Sequence, residues 1–226
     1  LCKIPGLYWI RIQYCYPEEI YDELIQTIAE EPKICHYLDL PIQHANDAIL
    51  KRMGRKTNKQ QLIQKIEQLR QAIPDIALRT TLIAGFPGET GEAHEEIMQF
   101  VNDMEFDRLG CFAYSAEEDT PAAEFEDQVP QEQKEQWRDE IMELQSEVCA
   151  DLAEKMIGKE LYVMVEGKVA DEPAYIGRTY KDAPGVDGYI FIQTGEALMS
   201  GDFVKVKVTG AIDYDLIGEI TDEFTE

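Results

Sequence analysis

From Tyr8 to Ser115 the chain alternates short β-branched or aromatic runs with segments of helical period, and this alternation limits its possible folds more than any other feature. The strand candidates are Tyr8–Tyr14, Tyr37–Ile42, Leu78–Phe86 and Arg108–Tyr114. One helical segment runs from Pro17 with Ile20, Leu24 and Ile28 on one face. A second starts near Lys59 with Leu62, Ile66, Leu69 and Ile73, and a third follows Thr90 with Ile97, Val101 and Met104. Strand–helix–strand repetition with nearly continuous apolar strands predicts a parallel sheet covered by helices. Because the first strand starts so close to Leu1, residues 1–129 are expected to be the carboxyl-terminal part of a larger α/β barrel, a partial (half) barrel in a fragment of a longer protein.

Residues 116–129 read as an acidic, proline-containing loop. Pro130 then opens a long connecting helix over 130–158, carrying Trp137, Ile141, Leu144, Val148 and Leu152, with Gly158 suited to stop it. After Gly158 the pattern changes. Leu161–Val165, Tyr175–Arg178, Tyr189–Ile192, Phe203–Thr209 and Asp215–Ile220 are short strands separated by Gly, Pro and Asp turns, which predicts a small all-β barrel over 159–226.

Charge restricts the partners. The 226 residues carry 21 Lys and Arg against 45 Asp and Glu, a net −24. Such a field repels phosphate backbones and anionic lipid and favours a basic partner. No apolar run approaches the roughly 20 residues that span a bilayer, and no secretory signal is evident, so no membrane association is expected. Cys2, Cys15, Cys35, Cys111 and Cys149 are odd in number and scattered, which reads as reduced thiols in a cytoplasmic protein.

Three segments could carry chemistry. Leu40-Pro41-Ile42-Gln43-His44-Ala45-Asn46-Asp47 stands at a strand end, where ligands bind on parallel sheets. A Gln43 amide suits ribose hydroxyls or an amino-acid head group; equally, Gln43 and Asn46 serve to satisfy turn backbone. Arg79–Thr90 reads as an apolar strand ending in two glycines around Phe86-Pro87. That permits close backbone approach to a flat ligand, with Thr90 capping the next helix. Lys51–Lys59 holds five of the fifteen basic residues before Gly158; an arginine fork there could grip a carboxylate, whereas Lys51 and Lys56 fit a solvated helix end. His36, His44 and His94 are too dispersed for a metal triad, no Cys pair has ligand spacing, and no metal site or catalytic residue is assigned.

Taken together, Tyr37–Ala45, Ile49–Arg55 and Leu82–Thr90, in this order and separation, resemble the radical S-adenosylmethionine methylthiotransferases. The small barrel resembles the TRAM domain that ends those proteins. Members acting on tRNA usually read Pro-Val-Gln-Ser-Gly-Ser where this chain has Pro41-Ile42-Gln43-His44-Ala45-Asn46. The Gln-His-Ala form resembles the branch that modifies an aspartate of small-subunit ribosomal protein uS12. Residues 159–226 hold six basic and fourteen acidic residues, a net −8. That suits a basic ribosomal protein or the ribosome better than RNA, so tRNA is the disfavoured partner.

The resemblance implies S-adenosylmethionine and two 4Fe–4S clusters. One cluster cleaves the cofactor to a radical that takes a hydrogen from the aspartate β-carbon, and the other carries the sulfur to be methylated and transferred. It places Gln43, Arg55, Thr81, Ile83, Gly85 and Phe86 at the cofactor: Arg55 on its carboxylate, Gln43 and Thr81 on polar groups, and Leu82–Phe86 against adenine. Thr81 departs from the family by standing where an Asp is frequent. The family's C-x-x-x-C-x-x-C triplet is also missing, since successive cysteines here are 13, 20, 76 and 38 positions apart. The chain alone is therefore expected to be inactive. Two other readings compete: a tRNA methylthiotransferase of the same family, and a non-catalytic module that docks a basic partner.

Overall fold

The computed structural model describes residues 1–222 and divides into two compact units, Leu1–Gln145 and Ser146–Glu226. Residues 223–226, the end of the predicted barrel segment, lie outside the described residues.

The first unit is built on four parallel strands, β1 (Ile10–Ile12), β2 (Ile34–Asp39), β3 (Ala77–Ala84) and β4 (Arg108–Ala113), in the order β1-β2-β3-β4. The helices α1 (Asp22–Glu30), α2 (Asp47–Arg52), α3 (Lys59–Ala72) and α4 (Gly91–Met104) lie between them in sequence. Leu38, Leu78 and Leu82 from the sheet pack with Ile28, Ile66, Leu69, Ile97 and Phe100 from the helices in one buried core. Helix starts follow local chemistry. Asn58 and Gln61 form a capping box on α3, and the Thr90 side chain accepts from the Ala93 N–H on α4.

Several boundaries differ from the sequence reading. Pro17 opens only a short 3-10 turn, Pro17–Glu19, because the extended backbone at Ile20 interrupts the pattern before α1. β2 begins at Ile34 and stops at Asp39 instead of running to Ile42, and β3 stops at Ala84, where Gly85 takes φ +76. The acidic loop contains a 3-10 turn, Pro121–Glu124. The long helix α5 (Gln131–Glu154) ends before Gly158, which takes φ +87 in the turn that follows.

The second unit is a closed barrel of β5 (Glu160–Lys168), β6 (Ala174–Arg178), β7 (Ile190–Gln193), β8 (Phe203–Ile212) and β9 (Asp215–Asp222), ordered β5-β6-β7-β9-β8. Four pairings are antiparallel and β7–β9 is parallel. Alternate residues such as Leu161, Val163 and Val165 point inward to fill it with Val204, Val206 and Ile192, as a small barrel requires.

Candidate functional site

The strand ends of the first unit bring the predicted segments together. Gln43 takes φ +72 and bridges to β3: its N–H donates to the Thr81 carbonyl at 2.9 Å, and its own carbonyl accepts from the Ile83 N–H at 2.9 Å. The chain after β2 thus extends the sheet by one residue in a conformation that costs a side chain roughly 1–2 kcal/mol. Among the described residues the Gln43 amide makes no side-chain hydrogen bond. Asn46 has structural work instead, its Oδ1 accepting from the Ala48 and Ile49 N–H groups at the start of α2.

Along β3, Thr80, Leu82 and Ala84 are buried, while Arg79, Thr81 and Ile83 are half-buried. Thr81 and Ile83 therefore share a face with each other and stand beside Gln43 through the backbone bridge. Leu82 belongs to the helix-side core. Arg55 reaches the segment before Gln43 from beyond α2. Its Nη2 donates to the Pro41 carbonyl at 2.7 Å, its guanidinium lies 5.0 Å from the Tyr16 ring centroid, and its buried Nε has no hydrogen-bond partner. A half-buried guanidinium with an orphaned Nε at the strand end that also carries Gln43 is a donor set suited to a carboxylate with neighbouring hydroxyl or amino groups. The residues present therefore fit S-adenosylmethionine.

Gly85 and Phe86 serve differently. At Gly85 an added Cβ would meet Lys134 Cγ at 2.2 Å, so the space beside this glycine is filled by a lysine stem from α5. The Phe86 side chain is buried against Tyr114 and Phe125, with ring centroids 5.1 and 6.4 Å away, and Ile83 packs against the edge of this satellite cluster. What Gly85 and Phe86 present at the strand end is backbone. Their N–H groups both donate to Glu89 Oε2, at 2.6 and 3.1 Å.

Sequence reasoning missed three contributors. Glu89 holds the turn. Lys134, 6 % exposed, donates to the Tyr114 carbonyl at 3.3 Å, and desolvation lowers its pKa. The loop after β4 closes over the turn: Arg52 pairs with Asp127 at 2.7 Å and lies over Phe125, and the Gly88 N–H donates to the Asp127 carbonyl. The acidic composition of that loop opposite Arg52 was the available signal. The basic island is thus largely committed, since Lys59 also pairs with Glu96 at 3.1 Å.

No set of three or more His, Cys, Asp or Glu side chains among the described residues is placed to hold a metal ion. The five cysteines form no disulfide, and burial, followed by the nearby Glu89 charge, pushes the Cys111 thiol up to about 12. Iron–sulfur cluster ligation does not fit this donor set, and no step through a cluster is derived from it. Among the described residues no helix is long and apolar enough to cross a membrane.

Residues 1–101 match the Radical SAM superfamily and residues 157–221 the TRAM domain. The ribosomal protein uS12 methylthiotransferase RimO of Lachnoclostridium phytofermentans is 59% identical over 96% of this chain and 50% of its own length. Its counterpart in Desulfitobacterium hafniense is 48% identical over 97% of the chain and 49% of its own length. The chain spans about half the length of the curated relatives it matches. Coproporphyrinogen III oxidase (HemN) of Escherichia coli, at 17% identity and a TM-score of 0.50, covers 88% of this chain and 46% of its own, and supports the fold alone.

Proposed function

We propose, from the premise that this chain belongs to the radical S-adenosylmethionine methylthiotransferase family, that the full-length enzyme transfers a methylthio group to the β-carbon of an aspartate in ribosomal protein uS12. The observation that carries this reading is the 59% identity, sustained over 96% of the chain, to a relative named for that substrate. The net −8 of residues 159–226 supports it, because an acidic barrel steers a basic protein toward the enzyme and repels RNA.

When bound, S-adenosylmethionine would supply the radical and the methyl group of this chemistry; the two 4Fe–4S clusters implied by the family resemblance have no ligands among the described residues. This chain's part is to hold the cofactor. Arg55 turns its free Nε edge to the carboxylate, and Gln43 and Thr81 present polar groups from adjoining strand ends. Ile83 lines the same face as an apolar surface for adenine. The Gly85 and Phe86 backbone forms the far wall, with the Phe86 ring serving as its buried anchor. A ribosomal-protein substrate fits a reaction in the cytoplasm.

The test is anaerobic reconstitution of the full-length enzyme, offered uS12 and bulk tRNA in one mixture with S-adenosylmethionine, followed by mass spectrometry of both. One methylthio group on an aspartate of uS12 is expected. Modified tRNA with unmodified uS12 overturns the substrate assignment. The 226-residue chain alone should not load a stoichiometric 4Fe–4S cluster, and loading would overturn the assignment of its cysteines as non-ligands.

A further inference from the structure

His44 and Glu89 are both fully buried side chains, yet neither belongs to the apolar core. Nδ1 of His44 accepts from the Asn46 N–H at 2.9 Å, so the neutral ring carries its proton on Nε2. That nitrogen faces Glu89 Oε1 at 3.3 Å, just beyond the usual N–H···O range. Neither atom makes a hydrogen bond among the described residues, to the other or to any third group, so the two face each other as an unmade donor–acceptor pair. The other oxygen of the same carboxylate holds the N–H groups of Gly85 and Phe86. A carboxylate taken out of water needs all its lone pairs addressed, and here the imidazole is the group that faces the remaining oxygen.

We propose that His44 is a positioning residue: through Nε2–H it orients the Glu89 carboxylate that fixes the Gly85 and Phe86 amides, so that one buried contact sets the distance between the Gln43 strand end and the Gly85 turn. This rests on the reading of those two segments as opposite walls of the S-adenosylmethionine site. The 3.3 Å separation leaves the contact room to shorten when a ligand draws the walls together, as bonds in unliganded sites do. Because the His44 side chain is sealed from solvent, it acts on a ligand through the groups it faces, Glu89 and the turn on one side and the Asn46 N–H on the other.

Two substitutions separate this role from simple packing. His44→Asn keeps an acceptor near the Nδ1 position for the Asn46 N–H but does not reach Glu89. His44→Gln keeps a donor near the Nε2 position. In the unliganded 226-residue chain, His44→Asn should speed amide hydrogen exchange at Gly85 and Phe86 by about tenfold or more, the scale expected when a buried carboxylate loses the one polar group that faces its second oxygen. Exchange at Ala48 and Ile49 should be unchanged, and His44→Gln should restore most of the protection. Equal acceleration in both variants, or none in His44→Asn, overturns the proposal. The wild-type ring nitrogen spectrum is independent of variant folding, and a proton on Nδ1 instead of Nε2 overturns it as well. Titration with S-adenosylmethionine tests the underlying reading separately: amide changes as expected, with affinity identical in all three proteins, would keep the His44–Glu89–turn linkage and refute the assignment of these walls to the cofactor.

Discussion

Replacing Gly85 with Ala tests the construction of the strand-end wall most directly. Two costs add. The backbone stands at φ +76, where a side chain costs roughly 1–2 kcal/mol. The new methyl would also lie 2.2 Å from Lys134 Cγ, 2.7 Å from its Cβ and 3.0 Å from its Cα, so rotation of the lysine cannot clear it. Overpacking of this kind costs roughly 1–3 kcal/mol, which makes a total of about 2–5 kcal/mol. Gly54 supplies the control, since it has φ +74 but nothing within 4 Å of an added Cβ, leaving about 1–2 kcal/mol. Both tryptophans, Trp9 and Trp137, lie in the first unit, so their fluorescence during urea unfolding reports that unit. With a slope of about 2 kcal/mol per molar, Gly85→Ala should lower the midpoint by about 1 M or more, and clearly further than Gly54→Ala. Equal shifts in the two variants would refute the claim that the Lys134 stem fills the glycine's space.

Other consequences can be measured on the same chain. The Cys111 thiol is raised by burial to about 12, so its neutral form is favoured by folding; the stability this contributes is complete below the unfolded value near 9 and is lost as pH rises toward 12. Cys111→Ala should flatten the fall in stability across that window by up to about 1.4 kcal/mol per pH unit, read from urea midpoints at pH 9 and 10. Asn58→Ala breaks the capping box of α3 and should cost about 1 kcal/mol in thermal or urea unfolding. Arg52→Ala removes the exposed pair with Asp127 and the contact over Phe125. It should change global stability by no more than about 1 kcal/mol while increasing limited proteolysis between Ser115 and Val129.

The parallel sheet and the barrel were legible because β-branched runs and helical spacings agree with burial at nearly every position. The boundaries failed where backbone geometry overrides pattern. Leu40, Pro41 and Ile42 continue the apolar run of β2, but Pro41 has no N–H for the ladder, and Gln43 turns to a positive φ to rejoin β3. Gln43, Thr81 and Ile83 were grouped by the family resemblance alone; the bridge from Gln43 to β3 is what makes them neighbours in the fold. Lys134 was not legible. It lies in a Gln-Glu-Gln-Lys-Glu-Gln stretch that reads as solvated helix surface, and only the folded chain brings its stem against Gly85. The role of Phe86 was equally hidden, because a turn residue has no alternation to fix its side. Its burial follows from the return of Tyr114 and Phe125.

The committed basic island also bears on which ligand the site selects. Arg52 is paired with Asp127 and Lys59 with Glu96, and Arg55 spends Nη2 on the Pro41 carbonyl while its buried Nε has no hydrogen-bond partner. One guanidinium edge in a region of net −16 over residues 1–158 can pair with a single carboxylate, but it cannot neutralise a di- or triphosphate. S-adenosylmethionine carries one carboxylate against an ammonium and a sulfonium, so the surrounding acidic field would attract it as a cation, with Arg55 as the proposed partner of its one anionic end. ATP should therefore compete poorly with S-adenosylmethionine for this chain in equilibrium dialysis. Arg55→Lys, which keeps the charge but loses the planar fork and Nε, should weaken S-adenosylmethionine by about tenfold or more. Equal binding of ATP, or unchanged affinity in Arg55→Lys, would show that the ligand is held by something other than this guanidinium edge.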